Sequence, residues 1–259
     1  MAAPNPQRQR EERERLAKLF ANPGVAYVIH YACQSFSAPD NPASPRIAAI
    51  AVRNLATGAT ESFSIHQELE RAKRPISLDQ CERQMLDQYF DFLEAHRGMT
   101  FLHWKMRDVK FGFAALEHRH EVLGGRPFAL GDHQKLDLSI MLANLYGTGY
   151  LPAPHFESIA QRNGLSLMDY IPGPQEPEAF RQGRYKAVLL SALCKVALIA
   201  STAQLAADGT LKTNATLWTL NAGRLREAVE LFDRNPVSAW AGLLATALSV
   251  GFGLVLKYF

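Results

Sequence analysis

Hydrophobic and polar positions divide most of the chain into an ordered series of elements. Residues 7–20 read as a charged helix with Leu16, Leu19 and Phe20 on its apolar side, ended by Gly24. Residues 25–31 are β-branched and aromatic and predict a first strand; residues 37–45, rich in Pro, Ser, Asp and Asn, predict a loop. A second strand is expected over 47–54 and a third over 60–65, with Thr57-Gly58 between them making a hairpin. Ser77 and Gln80 have capping-box spacing and open a helix expected to run to His96, with Met85, Leu86, Tyr89, Phe90 and Leu93 at helical spacing. A fourth strand is expected over 99–104, a helix over 108–122 and a short fifth strand over 126–130. Further helices are expected over 134–145, 155–163, 178–206 and 216–233. Antiparallel strands followed by alternating units predict a mixed α/β sheet flanked by helices, not a plain doubly wound fold.

One stretch breaks this pattern. The uncharged run that begins at Val237 and ends at Leu256 has the ~20 residues a helix needs to cross a bilayer core. Pro236 suits a helix start, and Trp240 and Tyr258 suit the two interfaces. Arg224, Arg226 and Arg234 on its N-terminal side, against Lys257 beyond it, orient the preceding domain towards the cytoplasm. The expectation is a single-pass tail anchor; the competing reading is an apolar core helix. Ala241, Ala245, Ser249 and Gly253 recur every fourth residue, a stripe through which two such helices can approach closely to form a homo-oligomer. The chain divides accordingly into a charged helix (1–22), an α/β domain (23–207), a linker with an amphipathic helix (208–235) and the anchor (236–259).

Composition changes this picture little. Lysine and arginine total 28 against 25 acids, giving a net charge of +3, so nothing electrostatic favours nucleic acid unless charge is clustered. Cys33, Cys81 and Cys194 are far apart and read as reduced thiols. The charged run from Gln7 to Lys18 is not a signal-peptide core.

Candidate chemistry gathers at the strand ends. The first strand leads into Ala32-Cys33-Gln34, and the fourth runs Leu102-His103-Trp104-Lys105-Met106-Arg107-Asp108. With the element order, these segments resemble the DEDD-type 3′–5′ exonucleases of the ribonuclease-H-like fold, over residues 25–205. The resemblance implies an Asp-x-Glu on the first strand, an Asp after the fourth and a final Asp in a late helix, together binding two Mg or Mn ions that stabilise both oxygens of a phosphodiester displacement. Here Ala32 and Gln34 stand at the two Asp-x-Glu acids and Asp108 is retained. Ser191 and Lys195 occupy the region of the last motif, and Leu136-Asp137-Leu138 matches a segment that orders later helices. One acid of four remains, so the resemblance implies a pseudoenzyme.

Three readings follow. In the leading one the domain binds or senses nucleic acid or nucleotide at a membrane, with Lys105 and Arg107 contacting phosphate near Gln34 and Asp108. In the second, an active metal-dependent exonuclease uses Asp108 with Asp137 and histidines; His30 and His103, at the ends of neighbouring strands, would share a cleft with Asp108 as metal ligands. In the third, the anchor oligomerises a scaffold or effector. Arg107, Lys110, Arg119 and Arg126, interleaved with Trp104, Phe111 and Phe113, read either as a single-strand grip or as core aromatics beside a solvated face.

Overall fold

The structure, a computed structural model, describes residues 4–34, 44–107 and 111–216. The expected linker helix, the anchor stretch with its small-residue stripe, and Asp108 all lie outside the described residues.

The first helix, α1 (Pro6–Ala21), is capped by Asn5, whose side chain accepts from the Arg8 amide. Three strands follow: β1 (Ala26–Cys33), β2 (Ile47–Asn54) and β3 (Thr60–Ser64). The β2–β3 hairpin closes where Asn54 Oδ1 accepts from the Ala56 and Thr57 amides and Gly58 takes φ +70°. Ser64 then caps α2 (Ile65–Arg71), a short helix not anticipated from the pattern. The capping box of Ser77 and Gln80 forms as expected and opens α3 (Leu78–Ala95).

After β4 (Thr100–His103), α4 (Phe113–Val122) leads to β5 (Lys135–Asp137). The fifth strand is therefore not at 126–130. That stretch includes Pro127, which lacks an amide for the ladder, and its Leu130 is buried against the core instead. Asp137 caps α5 (Leu138–Tyr146), so that helix starts later than the pattern suggests. After α6 (His155–Asn163), the long helix expected over 178–206 is two helices, α7 (Glu176–Arg181) and α8 (Tyr185–Ala207). Gly183, at φ +70°, turns the chain between them.

The sheet runs β3-β2-β1-β4-β5. β2 is antiparallel to both its neighbours, while β1, β4 and β5 are parallel. This five-stranded mixed sheet flanked by helices is the expected fold class. One face carries Ile29, Ile50, Val52 and Phe101 against α3 and α4. The other carries Ala26, Val28, Ala49, Ala51 and Leu102 against α5 and α8. The small residues Ala49 and Ala51 of β2 share this cluster with Ala192 and Ala203 of α8, which packs on the sheet. By length and composition α8 is apolar enough to cross a membrane, yet 56% of its most apolar window is buried in the domain. Its hydrophobicity is that of a helix covered on most sides. The N-terminal helix joins this layer: Gln9 Nε2 donates to Leu145 O and Asn144 Nδ2 donates to Glu12 Oε1.

Candidate functional site

Ala32, Cys33 and Gln34, which the resemblance would align with an Asp-x-Glu, lie at and just beyond the end of β1. Alternation, fixed by the pairs His30–Ala51 and Ala32–Ala49, directs Val28, His30 and Ala32 to the α8 face. Ala32 is only 1% exposed and Cys33 is buried; Gln34 is half-buried, and its amide donates to Arg46 O at 2.8 Å. The place of the first expected aspartate is thus a sealed alanine.

Opposite this face, α8 contributes a charge. Lys195 Nζ lies 2.7 Å from Glu176 Oε1, with both side chains almost fully buried. Ser191, one turn earlier on α8, donates to the same Glu176 oxygen at 3.0 Å and accepts from the Ile171 amide at 3.1 Å. The ammonium also lies 5.3 Å from the Tyr170 ring centroid. Next to it, burial first and the Lys195 charge second push His30 well below the ordinary histidine range. His30 is neutral, stands edge-on to Phe156 and leaves Nδ1 without a protein partner. Ser191 and Lys195 stand out in the sequence as polar residues inside an apolar helix; nothing local announces Glu176 as their partner.

His103 does not join His30. In the parallel pairing of β1 with β4, His103 aligns with Ile29. Because side chains alternate, this one-residue offset sends the two histidines to opposite faces of the sheet. His103 is fully buried, 5.4 Å from the Phe113 ring, and its Nδ1 accepts from the Met106 amide at 3.1 Å. Burial, against the partial offset of Asp137, lowers its pKa to about 4. Asp137 is engaged as a helix cap: Oδ1 accepts from Ser139 N at 2.9 Å and Ser139 Oγ at 2.6 Å. Among the described residues no three His, Cys, Asp or Glu side chains group so as to hold a metal ion.

Two buried, neutral histidines make stability depend on pH in one direction. A folded-state pKa held below the unfolded one means the unfolded chain binds more protons, so this stability is complete above pH 6.5 and lost as pH falls toward about 4. For His103 alone the loss is about 3 kcal/mol. Urea unfolding at neutral and acidic pH, compared with His103→Gln, checks this; an unchanged pH slope in the variant would contradict it.

The segment after β4 presents the two basic candidates. Lys105 is exposed and takes φ 55°, an uncommon backbone for a residue with a side chain. The segment is held in place. The Lys105 amide donates to Asp137 Oδ1 at 3.3 Å, Arg107 Nη2 to Lys135 O at 2.7 Å, and the Gly112 amide to Tyr31 Oη at 3.0 Å. His155, at the start of α6, is pushed below its ordinary pKa by burial and then by the Lys105 charge. Among the described residues, Gln34 is bonded to Arg46, whereas Lys105 and Arg107 are bonded to Asp137 and Lys135.

The aromatic interleaving is core. Trp104 and Phe113 are buried, and Phe111 stacks on Tyr31 at 4.5 Å. Arg119 is buried in a fork with Glu82, at 2.8 and 2.6 Å. The Glu82 bond above all raises the guanidinium pKa. Arg126 lies elsewhere, on the wall of a recess of about 230 Å³ with Arg83, Asp87 and His120.

No family model and no curated protein matches the chain. Among solved structures it is similar to the family B DNA polymerase from the hyperthermophilic archaeon Pyrobaculum calidifontis, at 12% identity and a TM-score of 0.47, over 70% of this chain and 24% of the polymerase.

Proposed function

We propose that this chain is a membrane-anchored module of DEDD-exonuclease-like descent that binds nucleic acid or nucleotide phosphate without hydrolysing it. The observation that carries the reading is the buried Lys195–Glu176 pair on the sheet face that also holds Ala32. Two-metal hydrolysis needs converging carboxylates around two cations. Two features support the reading: where the resemblance would put the first acid stands a buried alanine, and the charge of the buried Lys195 acts on His30. Phosphate binding needs only cations held towards solvent, which Lys105 and Arg107 supply from a segment pinned at both ends.

The test uses the full chain in detergent with labelled single-stranded DNA and RNA, with and without Mg or Mn. The expected result is no cleavage and salt-sensitive binding. The double variant Lys105→Ala, Arg107→Ala should bind about 10-fold more weakly or worse, with the salt slope reduced by about 1.4 for two lost contacts. Metal-dependent cleavage that disappears in Asp108→Ala would establish the active exonuclease instead. Neither cleavage nor binding would leave the scaffold or effector as the account.

A further inference from the structure

Asp137 carries the wrong charge for a phosphate site. It is bonded to the segment that presents Lys105 and Arg107, and by charge alone it would oppose an anion held there. Its hydrogen bonds give another reason for an acid at this position. Asp137 and His103 are register partners on the parallel strands β5 and β4. Each takes one of two consecutive backbone amides beyond β4. Asp137 Oδ1 accepts from Lys105 N at 3.3 Å, and His103 Nδ1 accepts from Met106 N at 3.1 Å. Both acceptors are buried, so water competes little for either bond.

The two bonds hold an uncommon backbone. Lys105 takes φ 55°, a left-handed conformation that costs a residue with a side chain energy and persists only where its surroundings impose it. Released from its acceptors, the residue would return to the extended or right-handed region, and its side chain would leave the chain in another direction. Asp137 is itself held. The same Oδ1 accepts from Ser139 N at 2.9 Å and from Ser139 Oγ at 2.6 Å, so the first turn of α5 fixes the carboxylate that fixes Lys105.

We infer that Asp137, with His103 beside it, is the positioning residue of the phosphate site: it aims Lys105 through the backbone without touching the ligand. This rests on the phosphate reading above. The positioning role and the charge act with opposite sign. Removing a carboxylate near a bound phosphate tightens binding by Coulomb's law, whereas removing the positioning bond weakens it, because the segment must then be ordered at the moment of binding.

The full chain in detergent is titrated with labelled single-stranded DNA at several salt concentrations, as the parent and as Asp137→Ala, Asp137→Ser, Asp137→Asn and Ser139→Ala. Asparagine keeps both the helix cap and an oxygen for the Lys105 amide, while serine keeps a cap on a shorter side chain, in case the alanine variant does not fold. The alanine and serine variants are expected to bind about 5-fold more weakly or worse, the cost of ordering one residue's backbone on binding. Their salt slope should stay parental, because both cations still engage. Asp137→Asn should bind at least as tightly as the parent. Ser139→Ala loosens the same end of α5 but spares the Lys105 bond, and should bind as the parent does. Without DNA, the amides of Lys105 and Met106 should exchange faster in the alanine and serine variants. Unchanged exchange, alanine and serine variants that bind as well as the parent or better, or asparagine or Ser139→Ala variants that fall with them, would each overturn the positioning role and leave the phosphate reading standing. A parent that does not bind, or that binds no less well after Lys105→Ala, Arg107→Ala, would overturn the phosphate reading and the inference with it.

Discussion

Replacing Glu82 with alanine should destabilise the domain by about 3–5 kcal/mol, the cost of leaving the buried Arg119 and the partly buried Arg46 without their shared counter-ion. Glu82 is fully buried and accepts from four donors. They are the Ile47 amide at 2.7 Å, Arg119 Nε at 2.8 Å, Arg119 Nη2 at 2.6 Å and Arg46 Nε at 3.1 Å. Asp79 also touches both arginines, but its side chain is mostly exposed and cannot take over the buried positions. The carboxylate therefore ties α3 to β2 and to α4. Thermal and urea unfolding of Glu82→Ala and Glu82→Gln measure the effect. The glutamine variant keeps the shape but turns one acceptor into a donor facing an arginine, so it should recover only part of the loss. A loss below about 1 kcal/mol in the alanine variant would show that the cluster is relieved by water or by rearrangement.

The second large effect is expected at the pair between α7 and α8. Lys195→Met should cost about 3–5 kcal/mol, because Glu176 stays buried with Ser191 as its remaining donor. The double variant Lys195→Met, Glu176→Leu removes both charges and should recover most of that loss, since well-packed apolar replacements of buried ion pairs are often neutral. The same variants bear on function. If the pair only holds α8 against the sheet, the double variant will fold and bind as the parent does. If its charge also shapes the phosphate site, binding will weaken although stability is restored. A double-mutant cycle showing no coupling between the two positions would contradict the ion pair itself.

What was legible in the sequence was local. The β2–β3 hairpin is announced by alternation around Thr57-Gly58, and α3 by the Ser77–Gln80 box, because both signals lie within a few residues of the structure they produce. β5 was not legible. Three residues, Lys135-Leu136-Asp137, carry no period, and their strand character comes from pairing with Phe101, Leu102 and His103. The extended stretch 126–130 had the better local pattern and has no strand to pair with. At the site, Lys195 was visible as a charge in an apolar helix, but its partner lies 19 residues away beyond a turn made by Gly183. The separation of His30 from His103 depends on a one-residue offset between parallel strands far apart in the chain. Such an offset is set by packing on both sheet faces together, which no single segment encodes.

The ends of the sheet bear on how copies of this chain can assemble. On one side the sheet finishes in β5, three residues long; on the other it finishes in β3, five residues long and carrying Glu61. So short a row of free backbone groups on either side offers little template for another copy to continue the sheet. Growth into ribbons or fibres by strand addition is thereby discouraged. Among the described residues, two copies that met would do so through side-chain surfaces more readily than by continuing the sheet.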